Sequence, residues 1–141
     1  MSNSFFTWDP SKYSVKVDSM DKDHQQLILL MNKLYERHNA AAPPVEISSH
    51  LKALGDYVVK HFKAEEDIFM NMPEYDKADI HKKIHEDLVQ KYLGHVANFE
   101  KTKKLGPEFF QFLKIWLTAH IASVDMKYGE IYVSKNVKKA A

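Results

Sequence analysis

Five histidines and two carboxylates in this 141-residue chain fall at helical spacings: His24, then His61 with Glu65, His81 with His85, and His120 followed by Asp125. Imidazole nitrogens and carboxylate oxygens are the donors that proteins offer to first-row transition metals. Seven of them are too many for one ion of ordinary coordination number, but they serve two six-coordinate ions if the carboxylates bridge. Imidazole suits iron, zinc, copper and nickel, and carboxylate draws the choice towards iron or manganese, so a di-iron centre is the best fit. The Glu-x-x-His pairs of ferritin-like bundles and the His-Glu-x-x-His of metalloproteases do not occur. With both carboxylates needed as bridges, no spare acid or base remains for hydrolysis. Binding without turnover is therefore expected, not an enzyme.

The elements that must position these donors are helices. Ile47, Leu51, Leu54, Val58, His61, Glu65, Ile68 and Met72 recur at alternating steps of four and three, which is one face of a helix. Two polar residues one turn apart interrupt an otherwise apolar stripe, and an unpaired buried carboxylate is costly, so Glu65 needs a partner. A metal ion beside His61 supplies one. His81, His85, Leu88, Tyr92 and Phe99 form a second stripe, with the two imidazoles ~6 Å apart along the axis at ~1.5 Å per residue. Leu113, Trp116, Leu117, His120 and Val124 form a third, and His24 heads a fourth with Leu27, Ile28, Met31 and Tyr35.

Punctuation sets the boundaries. Residues 1–17 read as an extended N-terminal arm rich in aromatics, among them Phe5, Phe6, Trp8 and Tyr13, laid across the bundle. Asp18 or Ser19 can cap a first helix running to about Arg37. After Pro43-Pro44 a second helix spans about Val45 to Asn71, stopped by Met72-Pro73. A third runs from about Asp76 to Leu105, with Gly106 as its C-terminal cap, and Pro107 opens a fourth that reaches about Tyr128. Short connections between long amphipathic helices imply an all-α, antiparallel up-down four-helix bundle over 18–128, with a tail at 129–141 and a single domain over 1–141. The length and a hydrophobic content of 45% suit one core.

Several function classes are excluded. A formal net charge of +1 leaves no basic field for nucleic acid. No run of ~18 apolar residues suggests a membrane span, and no secretory pattern opens the chain, so a cytoplasmic location is the expectation. With no cysteine, disulfides, zinc-thiolate sites, iron–sulfur clusters and thiol catalysis are ruled out.

The ordered segments Met20-Asp21-Lys22-Asp23-His24-Gln25, His61-Phe62-Lys63-Ala64-Glu65-Glu66, His81-Lys82-Lys83-Ile84-His85 and Trp116-Leu117-Thr118-Ala119-His120-Ile121-Ala122-Ser123-Val124-Asp125, with Tyr128 beyond, resemble a bacterial hemerythrin. Trp8 ahead of Val15 and Val17 resembles that family's opening arm. The likeness covers nearly the whole chain. It implies two iron ions per chain: one on His81, His85 and His120, the other on His24 and His61. Glu65 and Asp125 would bridge them, with a solvent-derived oxo or hydroxo group as third bridge. The second iron would keep an open position where dioxygen binds reversibly, under an apolar lining of Phe62, Trp116, Leu117 and Ile121. That implies an oxygen carrier, store or scavenger with dioxygen as its partner. The alternative is an oxygen or redox sensing module acting through a protein partner, which the absence of an output domain disfavours. A third reading, histidine phosphotransfer, needs an exposed acceptor, whereas these imidazoles lie on inward stripes.

The family often has Ile or Gln around the first ligand, where this chain has Met20 and Asp23. The step from His120 to Asp125 puts their side chains ~140° apart on an ideal helix, so a local widening is expected there. Other residues take plainer roles. His95 lies ten residues beyond His85, ~15 Å along the axis, out of reach of the site and expected as a hydrogen-bonded core histidine. His38 and His50 lie near helix ends and are expected to be solvated. Glu66, ~100° round the helix from Glu65, is expected at the surface.

Overall fold

The computed structural model describes residues 8, 13, 14, 17–120, 127 and 129–131, excepting the side chains of Asp18, Leu117 and Thr118. Helices account for nearly all of them: α1 Asp18–Asn39, α2 Pro44–Phe69, α3 Ala78–Thr102 and α4 Pro107–Ala119. Tight connections at 40–43, 70–77 and 103–106 return the chain each time, giving the expected four-helix bundle. α2 packs against both α1 and α3. α4 closes the bundle through rings, with Phe110 edge-on to Tyr35 of α1 and Phe109 beside Tyr92 of α3. None of the described helices is long and apolar enough to cross a membrane.

The interior follows the stripes. Leu27, Met31 and Leu34 of α1, Leu51, Leu54 and Val58 of α2, Tyr92 and Phe99 of α3, and Phe109 and Leu113 of α4 are all buried. On α2 the stripe moves from Glu65 to Phe69 by a step of four, leaving Ile68 half-buried. Met72 is buried from the turn beyond the helix. Trp8 and Tyr13, their ring centres 6.0 Å apart, pack against this core. The rest of the arm, most of the tail, and residues 121–126 and 128 lie outside the described residues.

The helix ends depart from expectation in instructive ways. Among the described residues no side-chain hydrogen bond caps α1. Val17, extended at φ −118° and ψ 105°, stands at the cap position and accepts the N–H groups of Met20 and Asp21 on its carbonyl, while its side chain is buried. Anchoring in the core here replaces the polar cap expected at Asp18 or Ser19. α1 ends in a Schellman arrangement, with Ala42 N–H donating to the Arg37 carbonyl and Ala41 N–H to that of His38. Ala41 therefore takes the left-handed position at φ 57° that glycine usually fills. At the end of α3 the left-handed residue is Lys103, φ 60°, rather than Gly106. The Thr102 hydroxyl donates to the Asn98 carbonyl and accepts from the N–H of Lys104, so a side chain competes for the last turn and ends the helix early.

Gly55 marks the closest approach of α2 to α3. A Cβ there would lie 2.8 Å from Cε1 of Tyr92, whose hydroxyl donates to the Leu51 carbonyl at 2.5 Å and holds the ring in place. Alanine gains about 1 kcal/mol over glycine in a helix, but overpacking costs about 1–3 kcal/mol, so the clash wins. Gly55→Ala is expected to lower stability by about 1 kcal/mol in denaturant unfolding; a more stable variant would show that the Tyr92 ring yields freely.

Candidate metal centre

Six of the seven candidate ligands come together in the interior. His24 on α1, His61 and Glu65 on α2, His81 and His85 on α3, and His120 just beyond Ala119 are all buried, Glu65 with no exposed surface. The donor atoms form two groups, His24 with His61 and Glu65, and His81 with His85 and His120, each with its donors within 4.8 Å of one another. Asp125 lies outside the described residues. The chain leaves α-helical geometry for a wider, π-type turn at His120, where the five-residue step to Asp125 begins.

Glu65 joins the two groups. Its Oε1 lies 3.0 Å from Nε2 of His61 and 3.6 Å from Nε2 of His85. Neither of its oxygens accepts a hydrogen bond from the described residues. A buried ionised carboxylate without hydrogen bonds is strongly disfavoured, so the site calls for positive charge at this point. Nε2 of His85 and Nε2 of His120 are 3.1 Å apart, close to the spacing of adjacent donors on one ion with metal–nitrogen bonds of ~2.1 Å. Donor type, burial and spacing therefore fit a bound cation in each group.

The outer face of three imidazoles is held as well. Nδ1 of His61 meets Oδ2 of Asp23 at 3.0 Å, Nδ1 of His81 meets the Tyr75 hydroxyl at 2.9 Å, and Nδ1 of His85 meets Oε2 of Glu66 at 3.0 Å. Asp23 also accepts the Tyr57 hydroxyl on Oδ1 at 3.0 Å. The hydrogen bond from His61 holds the Asp23 carboxyl below the usual carboxylate range against the opposing effect of burial, with Tyr57 and the nearby His24 adding to it. An ionised carboxylate only accepts, so Nδ1 of His61 carries the proton and Nε2 presents its lone pair inward. Burial pushes the Tyr57 hydroxyl up to about 12, with Asp23 adding to the shift. Burial likewise raises Glu66, and Lys82 opposes that.

Aromatic rings fix the imidazole planes. Phe62 stacks on His85 with ring centres 3.8 Å apart and planes within 3°, and it meets Trp116 edge-on at 5.7 Å. Phe69 stacks on His81 at 4.3 Å. Phe62 and Trp116 are buried, with Phe62 against His85 and His120 and Trp116 against Phe62. The Leu117 side chain and Ile121 lie outside the described residues.

Sequence reasoning missed the roles of Tyr57, Glu66, Phe69 and Tyr75 at this site, and named Asp23 only as a departure beside the first ligand. Glu66 is a correction, because it is half-buried and holds His85 instead of facing solvent. Two further carboxylates, Asp23 and Glu66, stand just outside the candidate ligands. Phe69, four residues after Glu65, was within reach of the helical spacing; Tyr75, in the α2–α3 connection, carried no periodic signal. His38 and His50 are half-buried, His38 against Phe110 and His50 3.7 Å from Glu46. His95 packs against Phe109 and Phe112, away from the centre.

Comparison with known proteins agrees with this geometry. The family model of the hemerythrin HHE cation-binding domain matches residues 15–132. The chain is 37% identical over 123 residues to a hemerythrin-like protein of Naegleria gruberi, covering 87% of this chain and 90% of that one. It is 33% identical over 131 residues to the bacteriohemerythrin of Methylococcus capsulatus, covering 89% and 95%. The crystal structure of a wild-type hemerythrin superposes with a TM-score of 0.78 at 32% identity, over 89% of this chain and 95% of that one. With its interior histidines on four successive helical segments, its buried glutamate and a family match over most of its length, the chain belongs to the hemerythrin family.

Proposed function

We propose that this protein binds dioxygen reversibly at a non-haem di-iron centre, as a carrier, store or scavenger without turnover, in a single domain over 1–141. One iron would be held by His81, His85 and His120 and the other by His24 and His61, with Glu65 and Asp125 between them. The observation that carries this reading is Glu65, a carboxylate with no exposed surface whose Oε1 faces an imidazole of each donor group. A second support is the hemerythrin name borne by the relatives above. Bound iron would supply the electrons that reversible dioxygen binding requires.

The chain's own part is to hold and to exclude. Asp23, Tyr75 and Glu66 keep Nδ1 of His61, His81 and His85 occupied, so that their Nε2 atoms are directed inward. Phe62, Phe69 and Trp116 fill the space beside the imidazoles with apolar surface, which keeps water and protons from the site. Leu117 and Ile121 would extend that lining, as the family resemblance implies.

Elemental analysis of protein made in iron-replete medium is expected to find about two irons per chain, and an absorption spectrum to show oxo-to-iron charge-transfer bands. One ion, or mainly zinc, would overturn the reading. Glu65→Ala is expected to lose at least one iron and to lower the melting temperature, because metal binding supports folding. Retention of both irons at an unchanged melting temperature would remove Glu65 from the ligand set. With Leu117 lining the site as the resemblance implies, Leu117→Ala would open a space there large enough for water. Its oxygenated absorption band is expected to decay faster than the parent's with both irons kept; equal decay would show that Leu117 does not guard the site.

A further inference from the structure

Asp23 is engaged at both oxygens, and its two partners come from α2. Oδ1 takes the Tyr57 hydroxyl and Oδ2 takes Nδ1 of His61, each at 3.0 Å. Tyr57 and His61 stand four residues apart, so one turn of α2 presents both donors to a single carboxylate on α1. The clamp leaves the Asp23 carboxylate little freedom to rotate, since moving either oxygen breaks a hydrogen bond. His61, with its side chain 1% exposed, is then fixed between Asp23 on the outside and Glu65 on the inside, where Nε2 lies 3.0 Å from Oε1. His81 is held differently, by the neutral hydroxyl of Tyr75.

We propose that Asp23, braced by Tyr57, is a positioning residue that sets both the orientation and the donor strength of His61. This rests on the di-iron reading and concerns the ion on the α1–α2 side. A negative oxygen accepting the Nδ1 proton draws that proton outward and leaves more electron density on Nε2. The ion held by His61 is thereby bound more tightly, and its higher oxidation state is favoured over its lower one. Orientation and charge are separable, because an asparagine at this position keeps an oxygen to accept from Nδ1 while losing the charge.

The test uses the iron-loaded full chain. Iron retained per chain is measured against rising concentrations of an iron chelator for the parent, Asp23→Leu, Asp23→Asn and Tyr57→Phe, and reduction midpoints are measured by spectroelectrochemistry. Loss of an outer partner of a metal ligand typically weakens metal affinity about 10–100-fold. Asp23→Leu is therefore expected to release one iron at about 10–100-fold lower chelator concentration while the other stays bound. Asp23→Asn is expected to restore most of that retention yet raise the reduction midpoint of one iron, a shift that a purely packing role would not produce. Tyr57→Phe should move retention in the same direction as Asp23→Leu, by less. The proposal is overturned if Asp23→Leu releases both irons together or neither, or if Asp23→Asn leaves both midpoints where they are in the parent. Should Asp23→Leu fail to fold, the Asp23→Asn midpoints and the Tyr57→Phe retention decide. A parent that holds only one ion would sink the di-iron reading instead, and the role of Asp23 would still be read from whether its variants hold that ion less tightly.

Discussion

A carboxylate with no exposed surface, held among imidazoles from neighbouring helices, is the constraint on which this structure turns. Glu65 sits about one turn from the end of α2, within 3.6 Å of nitrogens on both α2 and α3. Removing such a group from water is tolerable only if positive charge and directed donors replace the solvent. The bundle is arranged to meet that demand. Four helical segments send polar side chains to one level of the interior, and further along the bundle the stripes revert to Leu27, Leu51, Leu54 and Leu113. The apolar layers supply the folding free energy, and the polar layer has a net role only when its charges are matched.

The polar layer is braced from outside by residues that sit beside ligands in the chain yet act on a different helix. Asp23 precedes His24 on α1 but clasps His61 on α2, and Glu66 follows Glu65 on α2 but clasps His85 on α3. Tyr75, in the α2–α3 connection, reaches His81. Each contact therefore ties neighbouring elements together at the depth of the ligands, so helix packing and imidazole orientation cannot vary independently. Flat rings complete the arrangement: Phe62 against His85 and Phe69 against His81 restrict rotation that hydrogen bonds at one nitrogen would still allow.

The rims of the bundle show the same preference for tertiary anchoring over local signals. Val17 opens α1 because its side chain is buried, where a polar cap had been expected. Ala41 and Lys103 take left-handed conformations that glycine would adopt at less cost, while Gly106 does not. Gly55 serves a different purpose, which is to let the Tyr92 ring approach α2.

Periodicity and residue type determined much by themselves. The four helices and the inward direction of His24, His61, Glu65, His81, His85 and His120 follow from spacings of three and four, because a helix repeats its faces every 3.6 residues whatever surrounds it, and the ordered motifs around these residues carry the family resemblance. A departure from α-helical geometry at His120 was legible too, since the five-residue step to Asp125 does not fit an ideal helix face. What only the tertiary structure decided is the relation between faces. Asp23 and Glu66 lie about 100° from their neighbouring ligands on an ideal helix, which reads as surface until the angle and distance of the adjoining helix are known. Tyr75 lies in a connection with no period to betray it. The stacking of Phe62 and Phe69 on particular imidazoles depends on α2 and α3 approaching closely at one level. A one-dimensional pattern specifies which side of a helix turns inward, but which groups meet across the gap is settled by packing, where distances of a few tenths of an ångström separate a hydrogen bond from none.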